Sequence, residues 1–151
     1  MTTKSGHDLE DGYRLLSQAA RLVQRRHNEV LAPLGLTWAA AVAMEGLAAG
    51  PLNQEQLAAA VHAKSQTLGR ILTRLQSEGL VSRTRDRRDR RQLVIGLTDA
   101  GRTALNAVRH AHTHAFPSSL DPRGWKVLRG ELARFVDCLQ TQDREEPPPA
   151  G

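Results

Sequence analysis

Apolar residues along this chain recur mostly at helical spacing, with one short interruption of a different kind. Residues 8–32 carry Leu9, Tyr13, Leu15, Leu16, Ala19, Ala20, Leu22, Val23, Val30 and Leu31 among charges, the pattern of an amphipathic helix several turns long. Pro33-Leu34-Gly35-Leu36 interrupts it, and Thr37 is placed to cap an alanine-rich helix over 38–47. Ala48-Ala49-Gly50-Pro51 ends that helix. Asn53, with Gln56 three residues on, forms a capping-box signature ahead of Leu57-Ala58-Ala59-Ala60-Val61. A polar turn, His62-Ala63-Lys64-Ser65, leads into Leu68, Ile71, Leu72 and Leu75, which put one face of a further helix into a core. Gly79 stops it.

The period then changes. Leu80-Val81-Ser82 and Leu93-Val94-Ile95-Gly96-Leu97 read as two short strands around a polar loop. Such a hairpin is not stable alone in water and must lean on the preceding helices. Thr98 caps another helix, running to about His114 and broken near Pro117. Asp121-Pro122 starts a last helix that carries Trp125, Val127, Leu128, Leu132, Phe135, Val136 and Leu139. Residues 143–151, with three consecutive prolines, read as a disordered tail.

Charge singles out the hairpin. Arg83, Arg85, Arg87, Arg88, Arg90 and Arg91 face only Asp86 and Asp89, so residues 83–91 hold +4 of a whole-chain net charge of +5. Charge focused in this way suits a polyanion, because binding a phosphate lattice releases counterions. Arginine's planar fork pairs with phosphates and enters narrow grooves. On the helix before it, Ser65, Gln66, Thr67, Arg70, Thr73 and Arg74 form a polar, cationic outer face able to reach base edges and phosphates. Helix, turn, helix and basic hairpin together predict a mainly α chain. It has a winged helix-turn-helix lobe, a three-helix core plus a two-stranded β wing, over 52–98. Arg85, Arg87, Arg88, Asp89, Arg90 and Arg91 complete the expected DNA-contacting set, Arg90 and Arg91 toward the minor groove and Gln66, Thr67, Arg70 and Arg74 toward the major groove.

The helices at the two ends, 8–35 and 99–142, keep apolar stripes that one small lobe cannot bury, so a homodimer is expected. A two-fold dimer would set two recognition helices about one DNA turn apart, matching a pseudo-palindromic operator. All 151 residues read as one domain. No apolar run is long enough to span a bilayer and no basic-then-apolar leader opens the chain, so a cytoplasmic protein without membrane contact is expected. A single cysteine forms no intrachain disulfide. No phosphate-binding glycine loop, serine elbow or His-Glu-x-x-His sequence is present; Asp86 and Asp89 sit among arginines that keep them ionised, so neither an enzyme nor a cofactor is expected.

Several motifs together resemble the MarR family of bacterial transcription regulators. They are Leu57-Ala58, Arg74-Leu75-Gln76-Ser77-Glu78-Gly79-Leu80-Val81, and Asp89-Arg90-Arg91 with Leu97-Thr98 and Gly101. That family's wing carries an Asp-x-Arg element eight residues before a Leu-Thr pair, the spacing kept by Asp89 and Leu97. The resemblance spans the lobe over 52–101, and the family's helical order extends over 8–142. It implies that Asp89 orients the wing, that Arg91 enters the minor groove and that the end helices of two subunits interlock. Lys64 stands where the family often has Ser or Thr, which leaves Ser65 to cap the recognition helix.

The resemblance also implies a small organic effector, often an aromatic acid or phenol, in the cleft between the dimer lobe and the wing lobe. Trp38 is a candidate to line that cleft, with Tyr13 or His27 nearby; the alternative for Trp38 is plain core packing at the start of its helix. Two other effector classes have residues that fit. His110 and His114 lie four apart and can share one metal, with His112 pointing elsewhere; two ligands alone do not close a site, and His27 and Glu29 are possible substitutes for the missing ones. Cys138 has apolar neighbours and Asp137 beside it, which favours a buried or dimer-seam thiol over a redox sensor. The expected function is a sequence-specific, ligand-responsive repressor of double-stranded DNA. The alternatives are a nucleoid-type protein that binds nucleic acid without sequence preference and a metal- or redox-sensing relative of the same regulator.

Overall fold

The computed structural model describes residues 3–115 and 121–145. Among the described residues six α-helices and one hairpin follow in the order α1 (Thr3–Leu31), α2 (Trp38–Gly46), α3 (Gln54–Ala60), α4 (Ser65–Ser77), β1 (Val81–Arg85), β2 (Leu93–Leu97), α5 (Asp99–Ala115) and α6 (Pro122–Glu145), with a short 3-10 helix, Ala32–Leu34, between α1 and α2. The chain divides into two compact units, one holding α1 to α5 with the hairpin and the other holding α6.

In the first unit the local signals act as read. Thr37 Oγ1 accepts from the Ala40 amide at 3.2 Å and starts α2. Asn53 and Gln56 close a reciprocal capping box at 2.8 and 3.0 Å, satisfying two amides that the first turn of α3 would otherwise orphan. Gly79, at φ +74°, turns the chain out of α4. Thr98 ties two elements together: its hydroxyl donates to the Gly79 carbonyl and accepts from the Gly101 amide at the start of α5.

The core is aliphatic. Leu31, Met44, Leu57, Leu68, Leu72, Leu75 and Ile95 are fully enclosed, bringing α1, α2, α3, α4 and β2 onto one centre. Leu105 and Val108 add the buried stripe of α5. The hairpin is antiparallel, with Val81 opposite Leu97, Arg83 opposite Ile95 and Arg85 opposite Leu93. On its other edge Ile95 exchanges backbone hydrogen bonds with Leu52 at 2.8 and 3.0 Å. β2 is therefore bonded on both sides, which ties the wing to the segment that leads into α3.

Four features depart from the sequence reading. α1 begins at Thr3 rather than near residue 8. β1 runs to Arg85, so Arg83 and Arg85 are strand residues and the wing tip is 86–92. Ser65 does not cap α4: Lys64 occupies that position without a side-chain bond, and Ser65 is the first helical residue. Its carbonyl and hydroxyl accept instead from Gln54 Nε2 at 2.9 and 3.2 Å. Finally, α6 reaches Glu145, so the expected tail overlaps three helical residues, while 146–151 lie outside the described residues.

In the second unit, Asp121 Oδ1 accepts from the Gly124 amide at 2.7 Å and caps α6 ahead of Pro122. Trp125, Val127, Leu128, Leu132, Val136 and Leu139 are exposed along it. Cys138 is exposed as well, so burial within the chain does not shield it.

Candidate nucleic-acid interface

Helix α4 buries Leu68, Leu72 and Leu75. At ~100° per residue, Gln66, Arg70, Thr73 and Ser77 then lie opposite the core. All four are exposed. Thr67 and Arg74 fall on the flank. The outer residues are not equivalent. Thr73 turns its hydroxyl back to the Gly69 carbonyl at 2.9 Å, and Ser77 does the same to Arg74. Arg74 pairs with Glu78 at 2.9 Å and lines a 190 Å³ pocket with Arg70, Ile71 and the 35–37 loop. Gln66 and Arg70 are thus the long polar side chains best placed for an outside partner. Ser65, which binds Gln54, lies at the edge.

The wing tip is built on its two aspartates. Asp86 Oδ1 accepts from the Arg88 amide and Asp89 Oδ1 from the Arg91 amide, each at 3.1 Å. Each closes a local turn of the kind aspartate favours. The backbone of Arg91 is thereby set by Asp89. Arg85 Nη1 donates to the Arg90 carbonyl at 2.9 Å, bracing the loop across its width. Arg87, Arg88, Arg90 and Arg91 are exposed around it. Asn53 Nδ2 reaches Gln92 Oε1 at 3.3 Å, which couples the wing to the start of α3. Sequence reasoning did not find this tie, since nothing local relates residues 39 apart.

A second constellation sits behind the helix-turn-helix. The His27 ring stacks on Trp38 with centroids 3.8 Å apart and planes 10° from parallel. His112 meets His27 edge-on, His27 Nδ1 to His112 Nε2 being 3.1 Å. Asn28 Oδ1 accepts from the Trp38 amide at 2.8 Å, so neighbouring α1 residues hold both the ring and the backbone of Trp38. His27 is only 9% exposed. Burial, and then the charge His112 would bring beside it, lowers its pKa below the ordinary 6.5.

Trp38 and His112 line a cleft of about 400 Å³ whose walls include Val42, Val61, Val108 and His62. Glu45 and Arg109 form a two-pronged pair on its rim, Nη2 to Oε1 at 2.6 Å and Nε to Oε2 at 3.1 Å. That hydrogen bond is the main cause of the lowered pKa of Glu45 and raised pKa of Arg109.

These positions revise the effector candidates. Trp38 lines the cleft and His27 backs it. Tyr13 lies 14 residues before His27 on α1, about 21 Å along the axis at 1.5 Å per residue, and does not join them. The inward histidine of α5 is His112, not His110. The signal was present, since Leu105, Val108 and His112 share one helical stripe. His110 is exposed, and the side chain of His114 lies outside the described residues. Among the described residues, no group of three or more His, Cys, Asp or Glu side chains is placed to hold a metal ion. Among them, too, no helix is long and apolar enough to cross a membrane.

A recognition-type helix, the turn before it and a basic hairpin braced to the same core define a winged helix-turn-helix transcription regulator. A model of the MarR family matches residues 47–93. A probable transcriptional regulator from Pseudomonas aeruginosa is 30% identical, with a TM-score of 0.67 over 79% of this chain and 95% of its own. The chain belongs to the MarR family of DNA-binding transcription regulators. The structure of reduced AbfR bound to DNA is 25% identical, with a TM-score of 0.78 over 92% of this chain and 99% of that one. The HTH-type transcriptional regulator YwaE of Bacillus subtilis is 25% identical over 84% of this chain and 77% of its own length. Family and fold are those of regulators rather than enzymes.

Proposed function

We propose that the protein acts as a homodimeric, sequence-specific repressor that releases its operator when a small organic molecule occupies the cleft beside Trp38. The observation that carries the DNA reading is the braced wing. Four exposed arginines surround a loop whose turns are closed by Asp86 and Asp89, on the same core that presents Gln66 and Arg70. In this reading Gln66 and Arg70, with Thr67 and Thr73 beside them, reach base edges in the major groove. Arg90 and Arg91 enter the adjoining minor groove, and Arg85, Arg87 and Arg88 meet phosphates. AbfR, solved on DNA, supports this by its likeness.

The dimer rests on exposed apolar residues of both end helices, such as Leu9 at 60% and Val127 at 66% exposure. Faces of this kind are normally covered. A pseudo-palindromic operator follows from two-fold symmetry, and the cytoplasm is where such a protein meets DNA. The effector rests on the cleft's size, which lies in the usual range for small-molecule sites, and on its aromatic wall with polar groups at the rim. Occupancy would shift the dimer away from its DNA-ready arrangement. Fluorescence anisotropy tests the reading on DNA from the gene's own upstream region and on a scrambled control, at two salt concentrations. Tight binding to the native fragment at two subunits per site is expected. Equal affinity for both DNAs with a steep salt dependence would instead make the arginines generic phosphate contacts of a nucleoid-type protein.

A further inference from the structure

Arg83 is placed differently from the arginines of the wing tip. It lies on β1 directly opposite Ile95, and residues paired across an antiparallel ladder project on the same face. Ile95 is enclosed in the core, so Arg83 rises from the buried face of the hairpin and is itself partly buried. Its Nε is closed off from solvent and has no hydrogen-bond partner, the one side-chain nitrogen or oxygen in that state among the described residues. Two residues on, Arg85 by contrast donates Nη1 to the Arg90 carbonyl. The nearby carboxylates are already engaged, Asp86 with the Arg88 amide and Asp89 with the Arg91 amide.

A buried donor without an acceptor costs the free protein stability. Covering Ile95 does not require a guanidinium, since an apolar stem of the same length would do it. The place of Arg83 in the fold supplies the missing reason. β1 packs against α4, and β2 is bonded to Leu52, just ahead of α3. Arg83 therefore stands at the root of the wing, where the hairpin meets the recognition helix. A helix in the major groove and a wing in the adjoining minor groove have one sugar-phosphate strand between them. That strand has to cross the root.

We propose that Arg83 binds the DNA backbone phosphate that passes between the two grooves, and that DNA supplies the acceptor its guanidinium lacks in the free chain. This rests on the DNA reading above and adds a contact outside the set that charge at the wing tip singles out. A planar guanidinium presents two N–H groups to a phosphate at once. Rotation about the flexible stem carries Nε out of the place that isolates it.

The test compares the full chain with Arg83→Met, which keeps the apolar stem, and Arg83→Lys, which keeps the charge. Arg83→Met is expected to melt no lower than the parent. On the scrambled duplex it is expected to lose about tenfold in affinity at low salt, with the salt slope reduced by about 0.9 for each Arg83 that meets DNA, whereas Arg83→Lys keeps the parent's slope. On the duplex from the gene's own upstream region, neutral methylphosphonate linkages are placed one at a time. One linkage in each half-site is expected to weaken the parent and leave Arg83→Met unaffected, the non-additivity of a direct contact. A slope unchanged in Arg83→Met, or lost equally in Arg83→Lys, would overturn the proposal. So would additive losses at every linkage, or a lower melt of Arg83→Met, which would make the guanidinium part of the wing's own support. Equal affinity of the parent for both duplexes would count against sequence-specific recognition alone, because the slope on the scrambled duplex still decides the role of Arg83.

Discussion

Arg70 and Arg91 carry the same charge but take different parts in the proposed reading. Arg70 lies on the outer face of α4, where a base edge can be read, and Arg91 sits on a wing turn fixed by Asp89. Replacing Arg70 by alanine should cost ~1–3 kcal/mol on the operator and little on random DNA. Replacing Arg91 should weaken both DNAs and lower the salt slope by about 1. Anisotropy titrations over a salt series separate the two patterns, and a uniform loss for Arg70 would remove it from base reading. Arg74 is held by Glu78, and its replacement should matter less than that of Arg70. At His27 the consequence is a pH dependence. The folded chain holds this ring neutral below its ordinary pKa of 6.5, whereas the unfolded chain protonates there. Proton uptake thus favours unfolding, and stability should fall as pH drops below about 6.5. Thermal melts of His27→Gln should show a shallower loss over that window; an unchanged slope would mean that other groups govern it.

Elements differ in how much of them could be read in advance. Thr37, Asn53, Thr98 and Asp121 were legible because a cap bonds to its own helix, within three residues in sequence. The strand over 93–97 was legible from its β-forming run, and the arginine-rich tip from charge alone. The extension of β1 to Arg85 was hidden, because polar arginines in a strand look like loop. The Leu52 bridge was hidden because one bridged residue has no period. His27 with His112, and Glu45 with Arg109, lie 85 and 64 residues apart, and only the fold brings them together. At the junction of hairpin and α5, Gly101 lies against the Leu80 carbonyl oxygen so closely that an added Cβ would collide with backbone. Gly101→Ala should destabilise by ~1–3 kcal/mol, read as a lower melting temperature. An unchanged melt would show that α5 can shift away from the hairpin at little cost.

Across the whole molecule the proposal depends on two copies acting together. α6 exposes Leu128, Leu132, Val136 and Leu139 at helical spacing, a stripe that a partner would cover. Leu132→Asp should therefore move the protein from dimer toward monomer in sedimentation velocity and reduce operator affinity, with helical content retained. A dimer unaffected by it would place the subunit interface away from this stripe. The central claim, specific recognition of DNA by two symmetric recognition helices, is tested most directly by selection of binding sites from a random-sequence DNA pool. The account predicts enrichment of a pseudo-palindrome whose half-sites are centred about 10–10.5 base pairs apart or a multiple of that. A selected pool with no shared sequence, or with an unpaired half-site, would contradict it.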